Sequence, residues 1–132
     1  MQATRSLLGL LLFLLLAIAC ASPREKAYQA AVRDYNRSQA EVVAFTQANV
    51  KQLILATKTF RSKVGRWPET YQELGDYTAA NNLPLDLTAF SDVTFATLGD
   101  GSLQVYYDVN CSRFSTTQYQ FVQTGTVTLK PR

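Results

Sequence analysis

The stretch Gly65-Arg66-Trp67-Pro68 divides the chain into a helical part and a strand-rich part. Gly65 can adopt the left-handed conformation that closes a helix. Pro68 disfavours the helical conformation at Trp67, so the chain has to leave the helix axis here. The sequence therefore predicts a hinge at Gly65, Trp67 and Pro68. The indole of Trp67 is either a core side chain that closes this hinge or an anchor for a ligand.

Upstream of the hinge, the pattern predicts one helix over about 23–64. Ser22 and Glu25 have the spacing of a capping box, Pro23 suits the first helical position, and no Gly or Pro interrupts residues 24–64. Apolar residues recur at spacings of three, four and seven. They are Tyr28, Val32, Tyr35, Val42, Val43, Val50, Leu53, Ile54, Phe60 and Val64.

This helix would be about 60 Å long, which is more than the remaining chain can cover. The segment Gln29–Gln39 is also more polar than the segment Val42–Phe60. We therefore expect the front part of the helix to project into solvent or to pair with a partner.

After the hinge, the sequence predicts a short helix followed by strands. Thr70 and Glu73 repeat the capping-box spacing, which predicts a helix over about 71–80. Val93–Leu98 and Ser102–Val109 predict a β-hairpin with Asp100-Gly101 as its two-residue turn. Alternating aromatic residues predict a third strand at Gln118–Val122, and Val127 and Leu129 predict a fourth.

The predicted fold class is therefore α+β, with one long N-terminal helix packed on a small antiparallel sheet formed by about residues 93–130. The apolar alternation of Leu103, Val105, Tyr107 and Val109 would face the back half of the helix.

The N-terminus has the form of an export signal. Arg5 supplies the positive charge, Leu7–Ile18 is almost entirely apolar, and Ala17-Ile18-Ala19 provides small residues before a cleavage site. The apolar run is shorter than the about 20 residues that a membrane span needs. We expect the signal peptide to be removed.

The segment Leu16-Ala17-Ile18-Ala19-Cys20 resembles a bacterial lipobox. This resemblance implies a signal peptide over residues 1–19, cleavage before Cys20, and a lipid-anchored mature chain over residues 20–132. Ala21 and Ser22 lack the Asp that signals inner-membrane retention, so the outer membrane is favoured. The alternative is ordinary cleavage after Ala19 or Ala21, which would release a free periplasmic or secreted protein.

The other cysteine, Cys111, is expected to be a small buried residue. An intermolecular disulfide is the alternative in an oxidising compartment. A bridge between Cys20 and Cys111 is conceivable only if Cys20 carries no lipid.

The net charge of +3 is unevenly distributed. Residues 24–66 hold nine Lys or Arg and three Asp or Glu, whereas residues 67–132 hold three and seven. The cations Lys58, Arg61, Lys63 and Arg66 surround Trp67 in sequence. They form either a patch for an anionic partner, nucleic acid included, or a solvated helix face.

The composition argues against an enzyme. The chain has no histidine, which removes the commonest catalytic base and metal ligand, and it has no Gly-rich phosphate loop. Asp86, Asp92, Asp100 and Asp108 lack the spacing of a calcium loop. We expect no metal, no cofactor and no small-molecule substrate.

The segment Phe60–Leu74 resembles the corresponding region of type IV pilins and of the pseudopilins of type II secretion systems. It contains a long-helix end, a Gly-x-aromatic-Pro turn, and a short Thr-capped helix that ends in Glu-Leu. Leu83-Pro84 and the Asp100-Gly101 hairpin also match the family's order, so the resemblance covers roughly residues 40–110. At the N-terminus the chain departs from the family, because Leu14 stands where pilins carry Glu.

The resemblance implies a non-enzymatic accessory protein rather than a filament subunit. Its pilin-like domain would bind a protein partner in a pilus or secretion apparatus of the bacterial envelope, through the front part of the helix. The alternatives are a minor pilin-like receptor for DNA and a structural envelope lipoprotein.

Overall fold

The computed structural model describes residues 22–131. The chain divides into two compact units, one ending at Arg37 and the other beginning at Ser38. The elements are α1 (Pro23–Val64), α2 (Tyr71–Ala80), a 3-10 turn (Leu87–Ala89), β1 (Phe90–Thr97), β2 (Leu103–Val109) and β3 (Thr124–Leu129). The chain is thus α+β, as predicted, and its one long helix and small antiparallel sheet are consistent with a pilin-like arrangement.

Both ends of α1 are set by the residues that the sequence singles out. The backbone N–H of Glu25 donates to Ser22 Oγ over 3.2 Å at the start of the helix. At the other end, Gly65 has φ of +89° and its N–H donates to the carbonyl of Arg61 over 2.9 Å. Because a left-handed conformation is costly for residues with a Cβ, Gly65 allows the helix to end here.

In the first unit, every described residue from Ser22 to Arg37 is exposed. Tyr28 and Val32 lie four residues apart, and therefore on one side of the helix, with 71% and 40% of their surfaces exposed. Asp34 and Arg37 form an ion pair one turn apart. This unit places apolar side chains in water.

In the second unit, the buried face of α1 contains three polar residues that apolar periodicity does not reveal, namely Thr46, Asn49 and Thr57. Each donates to a backbone carbonyl four residues earlier, at Val42, Phe45 and Leu53 respectively, over 2.7 to 2.8 Å. Each of these side chains therefore has a hydrogen-bond partner within its own helix and needs none from the rest of the core.

The predicted apolar stripe is wrong at Val43 and Val64. Both residues are 43% exposed. The buried face of α1 contains other members of the predicted stripe, namely Val42, Leu53 and Phe60.

The three strands form an antiparallel meander in the order β1-β2-β3. Val93, Tyr107 and Gly125 are aligned across the sheet, and Phe95, Val105 and Val127 form the next aligned row. These rows belong to the face that contributes buried side chains to the core. The opposite face carries Asp92, Thr94, Gln104, Tyr106, Asp108, Thr124, Thr126 and Thr128.

Two sequence predictions about the strands are wrong. The hairpin loop has three residues rather than two: Gly101 N–H donates to Leu98 O, and Leu98 N–H donates to Ser102 O. Gly101 has φ of +86°. Three-residue hairpin loops commonly end in such a left-handed residue, a conformation that glycine adopts easily.

The second error is the strand predicted at Gln118–Val122, which is irregular chain, so that Thr124–Leu129 is the third strand. Hydroxyl groups hold this segment locally. Thr116 Oγ1 accepts from the backbone of Gln118, and Ser115 Oγ accepts from the backbone of Phe121. Such bonds compete with strand pairing, which explains why aromatic alternation misleads here.

Within residues 22–131, none of the helices combines the length and the apolar character that a membrane crossing requires.

Candidate functional site

Trp67 lies where the end of α1 meets the β1–β2 hairpin. The side chain is only 6% exposed, and its indole Nε1 donates to the carbonyl of Gly101 over 2.8 Å. Pro68 is also buried. The indole thus satisfies its polar atom at the hairpin turn while its ring joins the core.

Arg61 covers the ring of Trp67. Its guanidinium carbon lies 4.6 Å from the ring centroid, within the range of a cation–π interaction. Its Nε also donates to the carbonyl of Pro131 over 3.2 Å. Arg61 therefore connects the end of α1 to Pro131, which lies just after the end of β3.

Arg66 is bound by Glu73 on α2. Its two terminal nitrogens each donate to one carboxylate oxygen over 2.9 Å, and Glu73 also accepts from the backbone N–H of Glu69 over 3.0 Å. The hydrogen bond from Arg66 lowers the pKa of Glu73 to about 2, and the same contact raises the pKa of Arg66. Thr70 Oγ1 accepts from Glu73 N–H, as a capping residue does.

Three of the four cations predicted as one patch lie next to Trp67 in two neighbouring grooves: Arg61 lines both, Lys58 lines one and Arg66 lines the other. Lys58 and Arg61 line a groove of about 530 Å³ with Trp67 and Pro131. Lys63 follows Arg61 by two residues, which places it about 200° further around the helix. The charge of Arg66 is matched by Glu73. The sequence could not reveal that Arg66 is paired, because its partner Glu73 lies on another helix.

The structure tests the prediction for Cys111 but not the one for Cys20. Cys111 is a free thiol that is 5% exposed, and its pKa is raised, first by burial and then by the charge of Asp108. A buried thiol of raised pKa is a poor nucleophile. Cys20, its lipidation and any bridge to Cys111 lie outside the described residues.

The aspartates serve local structure or face one another. Asp86 accepts from the hydroxyl of Thr88 and from its backbone N–H, and Asp100 accepts from the backbone of Ser102; these hydrogen bonds lower both pKa values. Asp92 and Asp108 are direct cross-strand neighbours. Across residues 22–131, no three His, Cys, Asp or Glu side chains are grouped so that they could hold a metal ion.

A second groove, of about 320 Å³, lies between α1 and the sheet and has no counterpart in the sequence analysis. Val50, Ile54 and Tyr107 line it, together with Thr46, Gln47 and Lys51. Val50 and Ile54 are only half-buried, so this flank of the core reaches solvent. The sequence spacing predicts that Val50 and Ile54 lie on the apolar side of the helix. Only the tertiary structure shows that the sheet does not cover them fully.

The comparisons with known proteins give no relative: no family model, no curated protein and no solved structure matches this chain.

Replacing Trp67 tests its role in the core. We expect Trp67→Ala to lower the free energy of unfolding by about 3–5 kcal/mol, because it leaves a cavity and removes the bond to Gly101. Trp67→Phe should cost less, since much of the ring volume remains. Urea unfolding measures both values, with Tyr106→Ala on the exposed face of the sheet as the control. A loss below about 0.5 kcal/mol for Trp67→Ala would indicate a surface residue instead.

The Arg66–Glu73 pair predicts a dependence of stability on acid. The pKa of Glu73 is lowered from 4.5 to about 2 in the fold, so its ionised form stabilises the protein above about pH 4.5, and this contribution is lost as the pH falls towards 2. Thermal midpoints of the wild type and of Glu73→Gln should therefore converge between pH 5 and pH 2. Arg66→Gln should behave like Glu73→Gln, and a constant difference across this range would contradict the prediction.

Proposed function

We propose that this chain is a lipid-anchored accessory protein of the bacterial envelope. Its pilin-like domain docks on a protein of a pilus or secretion apparatus through the helical segment that precedes Ser38. The observation that carries this proposal is the exposure of the apolar residues Tyr28 and Val32 on one side of that segment. An amphipathic helix commonly binds by laying its apolar side into a groove of the partner.

The charge of the same segment indicates the chemistry of the partner. Arg24, Lys26 and Arg33 are exposed. Arg37 is already paired with Asp34, and Glu25 is the only other acidic residue between Ser22 and Arg37. We infer that the partner presents an apolar groove with an acidic rim, because complementary charge speeds association and selects among partners.

The lipid anchor would hold this segment close to the membrane, since Cys20 precedes Ser22 by only two residues. Several acyl chains at about 0.8 kcal/mol per buried methylene anchor a protein stably without a spanning helix. The alternative of a DNA receptor is weakened because two of the cations near Trp67 have partners within the domain: Arg66 donates to the carboxylate of Glu73, and Arg61 donates to the carbonyl of Pro131.

Mass spectrometry of the intact protein, isolated from the membranes of its host, tests the anchor. We expect a mature chain that begins at Cys20 and carries acyl mass, and we expect Cys20→Ala to remove both the acyl mass and the membrane association. A chain that begins at Ala21 or Ser22 without lipid would contradict the anchor.

Site-specific photocrosslinking tests the docking segment separately. A photoreactive residue in place of Val32 should crosslink to a component of a pilus or secretion apparatus in intact cells, and Tyr28→Ser should abolish that product. Ala30→Ser is the matched control, because residue 30 lies about 180° around the helix from the side shared by Tyr28 and Val32. Crosslinks to phospholipid alone, or equal loss in the control, would contradict the proposal.

A further inference from the structure

The two edges of the sheet differ in how they are protected. The edge strand β1 contains the charged residue Asp92 and a bulge between Phe90 and Asp92. The other edge strand, β3, reads Thr-Gly-Thr-Val-Thr-Leu and contains no charge, no proline and no bulge. Natural sheets protect their exposed edges with charges, prolines and bulges, because an unprotected edge pairs with further strands. The edge of β3 therefore stands out as a surface for pairing.

The outer side of β3 is also free of internal partners. Among residues 22–131, the backbone of Thr124–Leu129 makes hydrogen bonds only to β2, and no side chain bonds to its outer edge. Alternate N–H and C=O groups of an edge strand point away from the sheet and need either water or another strand.

The core also has an opening beside Tyr107 of β2. Val127 on β3 is half-buried, as are Val50 and Ile54, which line the groove between α1 and the sheet together with Tyr107. The ring of Tyr107 lies across Gly125, at a place where any larger residue would collide with it. Tyr107 thus connects this groove to β3, and a strand added to β3 would extend the apolar face of the sheet next to Gly125 and Val127.

We propose that β3 of a second copy of this chain occupies this edge in antiparallel orientation, so that two three-stranded sheets join into one of six strands. Such a two-fold contact uses the same surface on both molecules. With Val127 opposite its own counterpart, Gly125 faces Leu129 on the apolar side, and Thr126 faces Thr128 on the polar side. Facing threonines stabilise antiparallel pairs.

Charge complementarity favours a second copy over an unrelated strand. In this register, Lys130 of the second copy lies opposite Thr124, which is itself the cross-strand neighbour of Asp108. Asp108 in turn faces Asp92, and two like charges in this position repel each other. Within the described part of the chain, neither aspartate forms a salt bridge, and Lys130 forms none either, although its charge helps to lower the pKa of Asp100.

The space for this lysine is present. A depression of about 320 Å³ lies on the polar face of the sheet, lined by Asp92, Tyr106, Asp108 and Thr124. A lysine that reaches across Thr124 would enter it and bring a positive charge to the two carboxylates. The same occupant therefore suits both the unprotected edge and the aspartate pair.

Sedimentation velocity tests the proposal with the purified protein. We expect a monomer–dimer equilibrium between about 1 µM and 1 mM. Thr126→Lys combined with Thr128→Lys places lysines opposite one another and should weaken the dimer more than about tenfold. The matched control is Thr94→Lys with Ala96→Lys, which places two lysines in the same rows of the sheet on the opposite edge.

A charge exchange tests the register. Lys130→Glu should weaken the dimer, and adding Asp108→Lys to it should restore the association, as measured by the dissociation constant. Circular dichroism checks that each variant keeps the wild-type fold. A disulfide between molecules, formed on oxidation by Val127→Cys in a Cys111→Ser background, provides a readout that does not depend on these charges.

Three outcomes would overturn the proposal. They are a monomer up to 1 mM, a dimer that the lysines at 126 and 128 leave intact, and equal weakening by the control at 94 and 96. A dimer that the lysines at 126 and 128 leave intact would indicate that the two molecules pair through another surface. A monomer whose β3 edge binds only a strand of another protein would indicate that the other protein is the partner instead.

Discussion

The hydrogen bond between the indole of Trp67 and the carbonyl of Gly101 is the constraint on which the second unit depends. It joins two segments that are 34 residues apart, the end of the long helix and the turn of the first hairpin. Around it, Arg61 covers the ring and bonds to Pro131, while Arg66 binds Glu73 on the short helix. One small region therefore holds the helix end, the short helix, the hairpin and the end of β3 together.

This arrangement explains why a cluster of cations in sequence is not a cluster of free charges. Arg61 and Arg66 take part in the packing, and their charges meet a carbonyl, an aromatic ring and a carboxylate. Lys58 remains exposed on one side of the helix, and Lys63 on another. A surface that binds phosphates needs several cations on one side, and here the tertiary contacts use two of the four.

The polar residues in the buried face of α1 are also held by contacts within the protein, in this case within one helix. Thr46, Asn49 and Thr57 can bury their side chains because each donates a hydrogen bond to a carbonyl of the preceding turn. The core is thus wider than the apolar pattern suggests, yet it stays open beside Tyr107 of β2, where Val50 and Ile54 reach solvent. Both proposed interfaces are places where apolar groups of the helix are left uncovered.

The sequence by itself determined the elements whose causes are local. Ser22 and Gly65 bound the long helix, and Thr70 caps the short one, because capping depends on residues within one turn. The strand predicted from the sequence at residues 118–122 was wrong, because the hydroxyl groups of Ser115 and Thr116 bind the backbone there in place of a neighbouring strand. Only the tertiary structure decided that Trp67 is buried, that Arg66 is neutralised and that β3 has a free edge, because each depends on groups that are distant along the chain.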